Sequence, residues 1–338
     1  MTEFSALLRR AIGGEDLSQD EAAAFVGEVM DGAYTPAQAG ALLAALAAKG
    51  ESVDEIVGAA RAMRERSLHV DHGLPMAIDV VGTGGDHADT INISTMAALV
   101  VASAGIPVAK HGNRAASSAC GSADVLEAAG FPLDISPETA ATMLQRCNFT
   151  FMFAPRYHPA MRNAAPVRRE LGVRTIFNLL GPLTNPAGAT HQVIGVAREE
   201  LVEPVGNALR GLGALSGAVV HGSGGIDEVV GNGSTLVYFF DEKGVRLQRL
   251  EPEDFGVGEP RETPVGGSVE ACCNAFVEIL GGKYSAASDV VALNAAVVLY
   301  VAGAESDLPA AFKRAGMLLG SGEPWRTFVR AREIARGG

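Results

Sequence analysis

Residues 78–130 hold most of the side chains that could bind a charged ligand. An apolar run, Ile78-Asp79-Val80-Val81, stops at Gly82-Thr83-Gly84-Gly85-Asp86. Three glycines let the backbone approach a ligand closely and turn N–H groups toward it. Thr90 and Asn92-Ile93-Ser94-Thr95 follow, where the next helix should begin. Free N–H groups and hydroxyls at a helix start favour phosphate. A second apolar stretch ends at Lys110-His111-Gly112-Asn113-Arg114, a cluster expected to surface at the strand end, and Ser117, Ser118, Gly121 and Ser122 add donors beyond it. Two strand-to-helix turns of this composition converge on a polyanion and point to an enzyme acting on a phosphorylated substrate. The first turn is not a dinucleotide fingerprint, because His87 stands at its third glycine. It is not a P-loop either, because no Gly-Lys-Ser/Thr follows.

Two further segments carry charge. His221-Gly222-Ser223-Gly224-Gly225 ends another apolar run and leads to Asp227-Glu228. Paired carboxylates at a strand end suit a hard cation, since Mg²⁺ takes one or two carboxylates plus water and substrate phosphates. Ser94 offers a hydroxyl to the same ion. His158-Pro159-Ala160-Met161 precedes Arg162, Arg168, Arg169 and Arg174. One of these could fork onto a substrate carboxylate; the rest should be solvated or pair with Glu170.

These segments need a scaffold. Residues 3–66 read as helical. Ser18 and Glu21, Thr35 and Gln38, and Ser52 and Glu55 have capping-box spacing, and Pro36 suits a first helical position. Leu42, Leu43 and Leu46 share one helix face. Four short helices must pack on the rest of the chain or on a second subunit. From residue 76 short strands (77–81, 108–110, 149–153, 193–196, 218–221, 235–239) alternate with helices (95–104, 122–129, 137–147, 200–212, 286–302), and 308–336 close the chain. The expected fold class is α/β: a small all-helical domain, 1–73 with part of 160–188, and a larger domain, 74–338, with a mainly parallel sheet flanked by helices. Residues 160–190 read as a crossing between the two.

Composition excludes other classes. The 338 residues are 48% hydrophobic and 20% charged, which permits a large core. A net charge of −12, from 39 acids and 27 bases, disfavours nucleic acid as a partner. No apolar run reaches the roughly 18 residues of a membrane span, and the N-terminus lacks a signal-peptide pattern. Cys120, Cys147, Cys272 and Cys273 form no CxxC pair, so a reduced cytoplasm is expected.

Seven separated segments together resemble the anthranilate phosphoribosyltransferase family: 82–86, 92–95, 110–118, 121–127, 158–161, Arg174-Thr175-Ile176-Phe177-Asn178-Leu179-Leu180-Gly181-Pro182-Leu183-Thr184-Asn185-Pro186, and Asp227-Glu228. The resemblance runs through nearly the whole chain. It implies transfer of the phosphoribosyl group of 5-phosphoribosyl 1-diphosphate to anthranilate, in tryptophan biosynthesis. It implies that Gly82, Gly85, Asp86, Thr90, Asn92, Ile93, Ser94, Thr95, Lys110, His111, Gly112, Asn113, Arg114, Ala115, Ala116, Ser117, Ser118 and Ser122 contact the donor. Gly82, Asn113 and Arg168 would contact anthranilate. Ser94, Asp227 and Glu228 would hold Mg²⁺, two ions in all, and the chain would be a homodimer joined through the helical domain. His111 is the nearest acid–base candidate, and no catalytic residue is assigned with it. Relatives often carry a basic residue where Ala119 stands and Ser or Ala at Cys120. Residues 243–268 and Cys272-Cys273 match no motif. Two other readings stay open: a pyrimidine nucleoside phosphorylase on the same fold, and an inactive nucleic-acid-binding relative, which the acidic chain opposes.

Overall fold

The computed structural model describes residues 3–86, 88–115 and 119–337. Glu3–Ile12, Gln19–Asp31, Pro36–Lys49 and Val53–Glu65 are helices. The last three begin on the expected boxes. Ser18, Thr35 and Ser52 accept the N–H of Glu21, Gln38 and Glu55, whose side chains return to the cap N–H; each cap contributes about 1 kcal/mol. Their apolar faces do not close on one another alone. Helix Met161–Leu171 packs on Gln19–Asp31 and Pro36–Lys49, and helix Phe177–Leu183 packs on Val53–Glu65. Ala164, Val167, Phe177 and Leu180 join Phe25, Leu42 and Ile56 in one core. The crossing segment is therefore two helices that complete the bundle. Arg64 fastens this junction: its guanidinium donates to Leu183 O at 2.8 Å and Leu212 O at 3.4 Å, at the ends of Phe177–Leu183 and of Val202–Gly211.

The larger part is built on β1 (Ile78–Gly82), β2 (Val108–Gly112), β3 (Phe149–Phe153), β4 (His191–Gly195), β5 (Ser216–Gly222), β6 (Thr235–Asp241) and β7 (Gly244–Leu250). They form one sheet in the order β3-β2-β1-β4-β5-β6-β7. The first five strands pair parallel; β6 and β7 add antiparallel. Helices Ile93–Ser103 and Ala286–Val301 pack on each other and on the strands. Both are buried almost all round, which is why they are apolar on every face. β7 and helix Val269–Leu280 were not expected from sequence. β7 is a largely exposed edge strand bearing Arg246 and Arg249, so it has no apolar run to announce it.

From β1 the chain winds outward to β3; from β4 it winds the other way. The carboxyl ends of β1 and β4 thus flank a topological switch point, where open α/β sheets bind ligands.

Candidate active site

The switch point is made of glycine because another backbone crosses it. Gly82 and Gly195 end β1 and β4 and stand directly opposite in register. A Cβ on Gly82 would lie 2.3 Å from Asp227 Oδ2, and one on Gly195 would lie 1.6 Å from Asp227 O. Gly222, ending β5, would meet Glu228 O at 2.6 Å. The loop after β5 folds back over all three strand ends and delivers Asp227 and Glu228 to the crevice. Asp227 Oδ2 accepts the Gly84 N–H at 2.8 Å, and Glu228 Oε1 accepts the Ser94 N–H at 3.2 Å. Gly84 and Gly85 adopt φ of +63° and +77°, which a side chain would strain.

The electrostatics suit a cation. Burial, followed by the neighbouring Asp86, pushes Asp227 up to about 7. Burial and then Asp227 hold Glu228 well above the usual carboxylate range. These carboxylates gain by accepting a positive ion, and Ser94 Oγ stands near them through Lys110. Among the described residues no group of three or more His, Cys, Asp or Glu side chains converges on a single metal. Two carboxylates completed by substrate oxygens and water are what Mg²⁺ accepts, so the residues fit that ion.

Lys110 and His111 differ from expectation. β2 continues through Gly112, so neither surfaces in a loop: they are 1% and 3% exposed. The Lys110 ammonium donates to Val80 O and to Ser94 Oγ, and burial lowers its pKa. Beneath it Asp79, fully buried, accepts the His111 N–H at 3.2 Å and the Asn185 amide at 2.7 Å. Burial raises Asp79 to about 6, against those bonds and the nearby Lys110. His111 Nδ1 donates to Gly181 O at 3.1 Å, which leaves Nε2 a bare acceptor without a partner. Burial, then His158, drops the His111 ring to about 3. His158 lies 4.9 Å away, ring to ring, and is likewise kept neutral, at about 4. Asp79, Asn185, Gly181, Gly195 and Gly222 were absent from the sequence-derived site.

The remaining expected residues are placed as follows. Asn92 stands at the N-cap position of helix Ile93–Ser103 without a side-chain cap bond, and its amide donates to Cys120 O; Thr95 Oγ1 is buried without a partner. Thr90 bridges to Val265. Asn113 follows β2, next to Gly82's strand, and its carbonyl accepts Ser122 Oγ at 3.1 Å. The Ala115 N–H goes to Asp124. Arg114 is engaged elsewhere: it pairs with Asp124 at 2.9 Å and Glu127 at 2.8 Å. Ala119 donates its N–H to Asp89, and Cys120 is buried. Ala116, Ser117 and Ser118 lie outside the described residues. Arg168 rises from helix Met161–Leu171 with its guanidinium 5.5 Å over the Phe177 ring, and burial lowers its pKa. Among the described residues no carboxylate pairs with it, and no hydrogen bond or ion pair joins it to Gly82 or Asn113.

Comparison with known proteins agrees with this architecture. Residues 74–324 match the model of the glycosyl transferase family, a/b domain, and residues 5–67 that of the glycosyl transferase family, helical bundle domain. The chain is 46% identical to the anthranilate phosphoribosyltransferase of Symbiobacterium thermophilum over 332 residues, 98% of this chain and 97% of that protein. It is 48% identical to that of Herpetosiphon aurantiacus over 329 residues, 95% and 96% of the two chains. Among solved structures, anthranilate phosphoribosyltransferase from Thermus thermophilus superposes with a TM-score of 0.91 at 43% identity, covering 98% of this chain and 99% of that one. The Saccharomyces cerevisiae enzyme in complex with PRPP and Mg superposes at 0.88 and 26% identity, covering 100% and 99%.

Proposed function

The chain belongs to the anthranilate phosphoribosyltransferases of the glycosyl transferase family, and on that premise we propose that it transfers the phosphoribosyl group of 5-phosphoribosyl 1-diphosphate to anthranilate, giving N-(5-phosphoribosyl)anthranilate and diphosphate. The observation that carries this reading is the acidic loop crossing three strand-end glycines at the switch point, opposite a phosphate-type helix start. Of the readings drawn from sequence, the transferase is the one the relatives' names bear.

Displacement at the anomeric carbon releases diphosphate while positive charge builds on the ribose ring. Anthranilate's arylamine is neutral near pH 7, so attack needs no strong base. The protein's work is then placement and stabilisation of the leaving group. The turn at residues 82–86, the start of helix Ile93–Ser103, Lys110 and the 111–122 segment would hold the donor. Mg²⁺ on Asp227 and Glu228, with Ser94, would offset charge on the departing diphosphate; two ions, with Glu228 serving both, suit the paired acids. Gly82, Asn113 and Arg168 would hold anthranilate, Arg168 gripping its carboxylate; the absence of any carboxylate partner for Arg168 among the described residues supports this. His111 is kept neutral, so we give it the role of a wall and acceptor, not of an acid.

The helical unit is taken as residues 1–73 with part of 160–188, the remainder being 74–338. We propose a homodimer through the helical unit, supported by Ile12, 71% exposed on the first helix. A cytoplasmic setting is supported by four free cysteines. No helix among the described residues is long and apolar enough to cross a membrane. The deciding experiment follows loss of anthranilate fluorescence on adding 5-phosphoribosyl 1-diphosphate, with and without Mg²⁺. Mg²⁺-dependent loss with one diphosphate per anthranilate is expected. A folded protein that produces neither would refute the assignment.

A further inference from the structure

The donor side of the crevice is short of positive charge. Asp86, Asp227 and Glu228 face it, and each is felt electrostatically by another. Lys110 answers them from below, buried and already donating to Val80 O and Ser94 Oγ. Arg114, the other cation of the phosphate-binding segment, is held by Asp124 and Glu127. Arg174 differs. It is exposed, and among the described residues it has no ion pair and no hydrogen bond. Yet its guanidinium rests on the glycine turn: a Cβ on Gly85 would lie 2.6 Å from Nη1. Gly85 has φ +77°, and its lack of a side chain is what admits the guanidinium. The next residue, Thr175, is 3% exposed with Oγ1 lacking a partner. An unpaired guanidinium resting on the glycine turn of a phosphate site calls for an anion.

We propose that Arg174 is a donor-binding residue that reaches across the Gly84-Gly85 turn to the diphosphate of the phosphoribosyl donor. This deepens the proposed function and rests on it. A guanidinium is suited to the part, because its planar fork meets two phosphate oxygens at once and it stays charged throughout the working pH range. It also ties the strand-end turn to the acceptor-side segment that begins at residue 174, so that donor binding draws the two together.

The test uses Arg174→Ala and Arg174→Lys in the full chain, with two readouts. Steady-state rates give the KM for donor and for anthranilate; calorimetry gives the affinity for Mg²⁺-diphosphate without any transfer. Loss of one charge-assisted contact should raise the donor KM and weaken Mg²⁺-diphosphate by about 10- to 100-fold. The anthranilate KM should stay within about twofold, and Arg174→Lys should restore part of the loss. A merely structural role would move both KM values together, and that result overturns the proposal, as does an unchanged donor KM. If the parent protein transfers nothing yet its Mg²⁺-diphosphate affinity depends on Arg174, the anion site stands and the assigned reaction falls.

Discussion

Replacing Gly195 by alanine should damage catalysis far more than its single methyl suggests. The added Cβ would sit 1.6 Å from Asp227 O, whereas carbon and carbonyl oxygen come no closer than about 3.3 Å in ordinary contact. Asp227 must retreat by roughly 1.7 Å, and it cannot do so by rotating a side chain, because the obstructing atom is backbone. Its carboxylate and that of Glu228 go with it. Misplacement of a catalytic group by about 1 Å costs on the order of 100-fold, so Gly195→Ala should lower kcat/KM by about 100- to 1000-fold, or about 3–4 kcal/mol of transition-state stabilisation. Overpacking alone should cost stability about 1–3 kcal/mol, which leaves a folded protein to assay. Gly82→Ala should also cost activity, since its Cβ would lie 2.3 Å from Asp227 Oδ2 and turn aside the carboxylate itself, without moving the loop backbone. Gly316→Ala is the control: it is exposed on a helix, with nothing within 4 Å of the new methyl, and should keep full activity while gaining about 1 kcal/mol. Initial rates of anthranilate consumption across a Mg²⁺ titration, beside thermal unfolding, read all three. Gly195→Ala within about threefold of the parent kcat/KM would mean that the loop's position over the strand ends does not govern catalysis.

Three other outcomes are expected. Arg168→Ala should raise the anthranilate KM much more than the donor KM; equal effects would remove its carboxylate-gripping role. Glu228→Gln should cut activity at least 100-fold and shift its Mg²⁺ requirement upward, and an unchanged Mg²⁺ profile would show the ion held elsewhere. Asp79 is raised from 3.8 to about 6. Its contribution to stability is therefore fully present below about pH 4 and lost as pH rises through 6. By linkage the parent should lose about 3 kcal/mol over that window relative to Asp79→Asn, and parallel urea-unfolding profiles for the two would contradict the shift.

Much of this site could be read from residue types. Strand ends rich in glycine and flanked by polar helix starts named Gly82, Ser94 and Glu228, and the capping pairs placed three of the four N-terminal helices. What escaped had no local mark. Asp79 sits inside an apolar strand, where a lone acid looks like an accident; its partners Asn185 and His111 are distant in sequence. Gly195 lay unmarked inside the expected strand 193–196 and Gly222 was one glycine among several in a turn; only the loop crossing them makes glycine obligatory there. Lys110 was expected at the surface, because its burial depends on β2 running two residues further beside β3. β7 escaped for the opposite reason: being half in water, it needs no apolar pattern.

The way the bundle is completed bears on how this chain folds. The helices of residues 3–65 emerge first during synthesis, yet their core includes Ala164, Val167, Phe177 and Leu180. The Asn163 amide reaches Met30 O across 133 residues, and Arg64 reaches Leu183 O across 119. Until about half the chain has been made, the first helices lack part of the core they share with that later segment. Such long-range closure slows folding and leaves apolar surface exposed in the meantime. An isolated fragment of residues 1–73 should accordingly self-associate instead of standing as a monomeric bundle, and light scattering of that fragment reads it directly. Order of appearance at the ribosome and order of burial run opposite here, and the early helices depend on the segment that also carries Arg168 and Arg174. The chain cannot finish its first core before it has made the segment proposed to hold anthranilate.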